Sequence, residues 1–361
     1  MIKYLGSKRT LLPAILGIAD RIEHAAPGTL RTACDPFSGA ARVGHALKRR
    51  GLAVRASDCN AYAATLARCY VQADRDRIER DAERLIAECN ALPGEPGFIT
   101  ATYCEAARFF TPENGARIDA IRARIGALDL EPDLEAVLLT ALLEAADRVD
   151  STTGVQMAYL KQWAPRALRP LALRMPDVLP RAAAGPGAAR QADALDAVRA
   201  APVDLLYLDP PYNQHSYLGN YHIWETLTLG DRPETYGVAQ KRTDCRERKS
   251  DFNSRPKIAG AMRRLLEAAQ ARIVIVSISD EGYLAREDLE AMLAERWCFG
   301  ALAFDYKRYV GAQIGVHNPK GERVGAPGRL RNTEFLYVAS ADEALVEAAL
   351  AQAPQRVAAS A

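Results

Sequence analysis

The segment Arg272-Ile273-Val274-Ile275-Val276-Ser277-Ile278 constrains the fold more than any other. It is β-branched almost throughout and shows no polar–apolar alternation. Such a strand is apolar on both faces and belongs inside a sheet covered on both sides. Val203-Asp204-Leu205-Leu206-Tyr207-Leu208 is a second run of strand length, and Glu334-Phe335-Leu336-Tyr337-Val338 a third. Near the N-terminus a helical reading from Leu11 to Glu23 precedes a short strand, Thr32-Ala33-Cys34. A helix from Ala41 to Arg50, stopped by Gly51, leads to another strand, Leu52-Ala53-Val54-Arg55-Ala56. Strands alternating with helices predict an α/β fold.

From about residue 61 to 179 strand signals nearly vanish. Residues 65–92 and 113–149 are rich in Ala, Leu, Ile, Glu and Arg at helical spacing. Pro93-Gly94 and the stretch from Pro180 to Gly187 punctuate this block. The expected organisation is a discontinuous α/β domain, 1–68 and 190–345, interrupted by a helical insertion at 69–189. An Ala-rich tail, 346–361, reads as a frayed helix or a disordered end.

A chain of 361 residues can bury a sizeable core. It has no run of about 18 uninterrupted apolar residues, so no membrane span is expected. The N-terminus lacks the apolar core of a signal peptide. Seven scattered cysteines without a Cys-x-x-Cys pair argue against a zinc site and against a disulfide framework. The expectation is a reduced, cytoplasmic enzyme without a metal. The formal net charge is only +2, so any nucleic-acid surface must be a local patch.

Asp209-Pro210-Pro211-Tyr212 directly follows the apolar run that ends at Leu208. In open α/β sheets, ligands bind beyond the carboxyl ends of strands. The two prolines stiffen the loop and remove two N–H donors. A carboxylate, a carbonyl acceptor and an aromatic ring then suit a planar base bearing an amino group. Asp209 and the Pro210 carbonyl would accept from the two amino hydrogens, and Tyr212 would stack on the ring. A strand ending in a proline turn accounts for the same four residues.

Asp35-Pro36-Phe37-Ser38-Gly39-Ala40-Ala41 is a second strand–turn–helix junction. Small residues let the backbone approach a ligand, and a helix start favours an anionic group. Neither the dinucleotide glycine fingerprint nor a phosphate loop is present. Asp58 ends the next strand, 23 residues after Asp35. That is the spacing at which an acidic residue binds ribose hydroxyls, and also a place for a plain helix cap. At the N-terminus, Gly6-Ser7 reads as a turn and Lys8 as a partner for a ligand carboxylate.

Taken together, these segments resemble the Dam-like, group alpha family of adenine-specific DNA methyltransferases. The resemblance rests on Lys3-Tyr4-Leu5-Gly6-Ser7-Lys8-Arg9, Asp35-Pro36-Phe37-Ser38-Gly39, Ala56-Ser57-Asp58 and Asp209-Pro210-Pro211-Tyr212, in the family's order. Phe110-Thr111-Pro112-Glu113-Asn114, Tyr159-Leu160-Lys161, Trp224-Glu225-Thr226-Leu227 and Asn332-Thr333-Glu334-Phe335-Leu336 add to it. It implies a Rossmann-like S-adenosylmethionine-dependent methyltransferase sheet with an inserted helical target-recognition domain. By the same resemblance, Asp209, Pro210, Pro211 and Tyr212 are catalytic. Tyr4, Gly6, Ser7, Lys8, Asp35, Pro36, Phe37, Ser38, Gly39, Asp58, Asp193 and Asp209 would bind the cofactor, with Asp196 an alternative to Asp193. The Phe-Ser-Gly turn is followed by Ala40-Ala41, where many relatives keep another glycine.

Double-stranded DNA is the implied partner. Residues 241–257, which follow the Asp209–Tyr212 loop, hold seven basic and three acidic side chains. Tyr306 to Arg331 reads as a long basic hairpin of a kind that can enter a groove. Arg9, Lys161, Lys241, Arg242, Arg248, Lys249, Lys307 and Arg308 are the candidate DNA contacts. The rival readings are adenine in RNA, cytosine N4 in DNA, and a non-catalytic DNA-binding module. Monomer and homodimer are both open.

Overall fold

The computed structural model describes residues 1–307, 316–317, 323–325, 331–353 and 355–357. They form two compact units. The first comprises Met1–Leu12, Arg31–Ala200 and His215–Lys249; the second comprises Pro13–Leu30, Ala201–Gln214 and residues from Ser250 onward.

The first unit is built on three parallel strands, β1 (Thr32–Asp35), β2 (Ala53–Asp58) and β3 (Ala188–Gln191), with β2 in the middle. α2 (Arg42–Arg49) is the crossover from β1 to β2. α3 (Ala61–Ala67) follows β2 and runs into a π-helical turn, Arg68–Gln72. β3 carries no β-branched or aromatic residue, and its pattern in the sequence does not signal a strand.

The same unit contains three long helices, α4 (Arg75–Ala91), α5 (Pro112–Gly126) and α6 (Pro132–Arg148). Thr111-Pro112-Glu113-Asn114 is a helix start. Pro112 takes the first position, where its missing N–H costs nothing, and the Thr111 hydroxyl accepts from the Asn114 N–H. Buried Asn114 then donates to the carbonyls of Ala167 and Arg169 and accepts from the Leu171 N–H at 2.9 Å. This motif pins the segment 167–171, the end of a 3-10 turn and the chain after it, which accounts for its residue types structurally. The unit closes with α7 (Ala194–Arg199), α8 (Tyr217–Asn220), α9 (His222–Leu229) and a hairpin of β5 (Thr235–Tyr236) and β6 (Lys241–Arg242).

In the second unit β4 (Val203–Leu208) pairs in parallel with β7 (Ala271–Ser279), Leu208 opposite Val276. Leu205, Leu206, Tyr207 and Leu208 on β4, and Ile273 through Val276 on β7, are all buried, as expected of strands apolar on both faces. β11 (Arg331–Ser340) lies antiparallel between β7 and β8 (Cys298–Lys307). β12 (Arg356–Val357) edges β8, and β9 (Val316–His317) pairs with β10 (Arg323–Gly325). Around them run α1 (Leu12–Ala25), α10 (Ile258–Ala268) and α11 (Arg286–Ala294). Toward the Ala-rich end lies α12 (Glu343–Leu350). Asp342 caps it, and Leu345, Val346, Ala349 and Leu350 are buried. It packs so closely on β8 that a Cβ on Gly300 would lie 2.2 Å from Leu350 Cδ1.

Candidate active site

In the first unit, the N-terminal motif, the β1–α2 turn and the end of β2 converge. Asp35 ends β1 and is 2 % exposed. The turn after it is anchored to β2 at two points. The Ser38 N–H donates to the Ser57 carbonyl at 2.9 Å, and the Gly39 N–H donates to Asp58 Oδ2 at 3.0 Å. Gly39 sits at φ 50°, and Ala41, the residue before α2, at φ 58°. Ala41 thus takes a left-handed backbone where an L side chain costs about 1 kcal/mol. The turn keeps this shape without the second glycine.

The other carboxylate oxygen of Asp58, Oδ1, accepts from the backbone and side chain of Asn60 at 2.9 and 3.1 Å. Burial pushes the Asp58 carboxyl up from its usual range, opposed by the hydrogen bonds from Asn60 and Gly39. Asp193 is exposed, and its carboxylate caps α7 by accepting from the Leu195 N–H at 2.8 Å. The segment before it lies alongside the end of β2, with Ala192 N donating to the Asp58 carbonyl at 3.1 Å.

Tyr4 stacks nearly parallel on Tyr217 at 5.2 Å and on Tyr221 at 4.8 Å, and its hydroxyl is 3.2 Å from that of Tyr62. The Leu5 N–H donates to the Tyr221 hydroxyl at 2.5 Å. Gly6 has φ 72°, and a Cβ there would lie 2.7 Å from the Tyr217 hydroxyl oxygen, so both backbone and space demand glycine. The Ser7 hydroxyl accepts from Arg42 Nε at 3.0 Å, which ties the motif to the start of α2. Lys8 is buried at 7 % exposure, while Arg9 is exposed.

These groups fit S-adenosylmethionine. The hydroxyls of Ser38 and Ser57 are buried without a hydrogen-bond partner, which calls for a polar ligand beside them. Carboxylates at Asp35 and Asp58 and the buried Lys8 ammonium form a donor and acceptor set suited to a zwitterion with ribose hydroxyls.

In the second unit, Asp209 follows the last residue of β4 without a gap. Pro210 is buried; Asp209, Pro211 and Tyr212 are half-buried. The loop is held from two sides. The Tyr283 N–H donates to the Tyr212 carbonyl at 2.7 Å, and Asn253 Nδ2 donates to the Asn213 carbonyl at 2.7 Å. Tyr283 also donates its hydroxyl to Gln214 Oε1 at 2.6 Å. A Cβ on Gly282 would lie 3.3 Å from Tyr212 Cβ and 3.2 Å from the Ser279 carbonyl. None of Asn253, Gly282 and Tyr283 stands out in the sequence. Their role follows from the pairing of β7 with β4, which places the turn after Ser279 beside the turn after Leu208.

The basic residues separate into different classes. Lys249 is exposed, and Lys161 is exposed with its carbonyl accepting from Arg108. Half-buried Lys241 points its Nζ at Met157 Sδ, 2.8 Å away. The expectation for Arg242 is corrected. It is 4 % exposed, bidentate to Asp231 at 2.6 and 2.8 Å, and paired to Asp244 at 3.1 Å. Burial opposes its charge, but Asp231 and Asp244 outweigh burial and hold it charged. It is a structural arginine with no donor face left for a phosphate. The guanidinium of half-buried Arg248 is engaged by Glu225, Asp244 and the Cys59 carbonyl. Lys307 is the last residue of β8, and Arg308 lies outside the described residues. Tyr221, His222 and Trp224 are core residues, each at most 1 % exposed.

The family model of the D12 class N6 adenine-specific DNA methyltransferases matches residues 4–292. The Type II methyltransferase M.FokI of Planomicrobium okeanokoites is 38 % identical over 205 residues, covering 54 % of this chain and 31 % of that protein. The Type II methyltransferase M.NlaIII of Neisseria lactamica is 29 % identical over 330 residues, 88 % of this chain and 96 % of that protein. The Type II methyltransferase M.CviAII of Paramecium bursaria Chlorella virus 1 is 27 % identical over 327 residues, 88 % and 95 %. The family match spans both the cofactor-side turns and the Asp209–Tyr212 loop, and the chain belongs to the D12 class of N6 adenine-specific DNA methyltransferases, S-adenosylmethionine-dependent enzymes of Rossmann-like fold that act on DNA.

Proposed function

We propose that this chain methylates N6 of an adenine turned out of double-stranded DNA, with the Asp209–Tyr212 loop holding the base. The observation that supports this most is the loop's fixed position. It leaves the carboxyl end of a strand buried at every residue but Asp204 and is tied down at the carbonyls of Tyr212 and Asn213. Bound S-adenosylmethionine supplies an electrophilic methyl group on a sulfonium. The chain has to bring a weak nucleophile to it in line. The adenine amino lone pair is conjugated with the ring, so acceptors for both amino hydrogens, at Asp209 and the Pro210 carbonyl, favour a more tetrahedral nitrogen. Stacking on Tyr212 offsets part of the few kcal/mol needed to unstack the base. A stiff proline loop serves alignment, which carries much of the rate in such transfers.

On the cofactor side, Asp58 accepts from the ribose hydroxyls, Lys8 pairs with the carboxylate, Asp35 faces the amino group, and Asp193 lies at the adenine end. Residues 1–68 and 190–345 form the catalytic domain and the helical block 69–189 the target-recognition domain. Arg9, Lys161, Lys241 and Lys249 contact phosphates. The Type II relatives suggest a partner restriction enzyme and a cytoplasmic enzyme; among the described residues no helix is long and apolar enough to cross a membrane. The test is long-read sequencing of DNA from a methylation-deficient host expressing the intact protein or its Asp209→Ala variant. Modified adenine at one short motif, present with the intact protein alone, is the expected result. A variant with near-normal single-turnover methylation overturns the role of Asp209.

A further inference from the structure

Glu225 on α9 is completely buried, at 0 % exposure. Its carboxylate accepts from the first two N–H groups of α3, with Oε1 at 3.1 Å from Ala61 N and Oε2 at 3.1 Å from Tyr62 N. Those donors have no partner within their own helix. Arg248 donates to the same Oε1 at 2.8 Å through one nitrogen and to the Cys59 carbonyl at 3.0 Å through another. The backbone from Asp58 to Tyr62 is therefore gripped at successive points. The Asp58 side chain holds Gly39 and Asn60, Arg248 holds the Cys59 carbonyl, and Glu225 holds Ala61 and Tyr62.

We propose that Glu225 and Arg248 are positioning residues that fix the Asp58 carboxylate for cofactor binding, and that Arg248 serves the cofactor side and contacts no DNA phosphate. This rests on the reading of Asp58 as a cofactor ligand. Glu225 crosses from α9 to the turn after β2, so neither local turn chemistry nor the α3 sequence holds that turn by itself. A planar guanidinium can reach a carboxylate and a carbonyl at once, which a lysine ammonium on one stem does with poorer geometry.

The experiment measures S-adenosylmethionine affinity by calorimetry without DNA, DNA affinity by fluorescence anisotropy, and kcat at saturating cofactor. It uses full-length Arg248→Met, Arg248→Lys, Glu225→Gln and Asp58→Asn proteins, each with its thermal melt. Arg248→Met is expected to weaken cofactor binding by roughly tenfold or more, the size of a lost charge-assisted hydrogen bond. Arg248→Lys should recover part of that loss, and Glu225→Gln should shift in the same direction. DNA affinity and kcat should change less than about twofold, a split that general loosening of the fold does not produce. If Arg248→Met proves unfolded at the assay temperature, Arg248→Lys and Glu225→Gln carry the same comparison. Weakened DNA binding with unchanged cofactor affinity overturns the proposal in favour of a phosphate contact. If Asp58→Asn weakens cofactor binding while the Arg248 and Glu225 variants do not, the proposal alone fails. If none of them does, the assignment of Asp58 fails with it.

Discussion

The ring of Tyr4 fills the space that a side chain on Gly39 would need: a Cβ there would lie 2.9 Å from Tyr4 Cε1. The N-terminal motif and the β1–α2 turn are therefore one packed feature, although 35 residues separate them in the sequence.

Gly39→Ala tests that contact. The alanine must hold φ near 50° and displace a tyrosine stacked on Tyr217 and Tyr221. Strain and overpacking together should cost about 2–4 kcal/mol. Urea denaturation should show that loss, and S-adenosylmethionine should no longer raise the melting temperature of the variant. An unchanged cofactor-induced shift would mean that the turn does not approach the ligand.

Acid stability should follow His222. Its Nε2 is 3.0 Å from the Gln156 carbonyl, so Nε2 carries the hydrogen, and buried Nδ1 has no partner. Burial pulls its pKa down to about 3. The folded value lies below the unfolded one, so the stability is present above pH 6.5 and is lost as pH falls toward 3. Between pH 6.5 and 4.5 the loss is about 2.5 kcal/mol. Asp147 works in the opposite direction. Burial pushes it up to about 6, against the pull of Lys3, so its contribution is present below pH 4 and is lost as pH rises through 6. The clean measurement is the difference in unfolding free energy between the protein and His222→Gln across this range. It should shrink as pH falls; a flat difference rules out His222 as the titrating group.

Arg242 and Lys249, close in sequence and both basic, should separate completely. Arg242→Ala removes a buried guanidinium and its hydrogen bonds to Asp231 and Asp244, which stay partly solvated, and should destabilise the fold by about 1–2 kcal/mol. Lys249→Ala should leave the melt unchanged, weaken binding to any DNA sequence, and lower the slope of log affinity against log salt by about 1. The reverse pattern would contradict the burial of Arg242.

That pair marks where the sequence is legible and where it is not. The strands β4, β7 and β11 stand out because unbroken apolar runs have no other stable home. Asp35, Asp58 and Asp209 are recognisable because each directly ends or follows a strand. β3 escapes notice because Ala, Arg and Gln carry no strand signal, and β8 because Gly300, Ala301 and Ala303 break up the signal of Phe299, Phe304 and Tyr306; the pairing of both comes from neighbours distant in the chain. Charge count in residues 241–257 cannot tell a phosphate contact from a buried ion pair, since Asp231 and Glu225 lie outside the segment. Ala41 departs from the glycine pattern, yet the turn keeps its left-handed form because Ser57 and Asp58 fix it from β2.

The support behind the reaction loop should be measurable apart from its chemistry. Gly282 faces Tyr212 so closely that its Cβ would lie 3.3 Å from that of Tyr212 and 3.2 Å from the Ser279 carbonyl. A methyl group there displaces the Tyr212 backbone by a few tenths of an ångström without opening a cavity. Misplacement of an aligned group well short of 1 Å can cost about tenfold in rate. Gly282→Ala should therefore lower single-turnover methylation by about that factor while cofactor affinity stays unchanged. Tyr283→Phe removes only the hydroxyl bond to exposed Gln214 and keeps the backbone bond to Tyr212. It should run at a rate within about twofold of the intact protein, since an exposed hydrogen bond contributes little. Equal losses in both variants would show that the turn after β7 matters through its hydroxyl and not through its backbone contact with Tyr212.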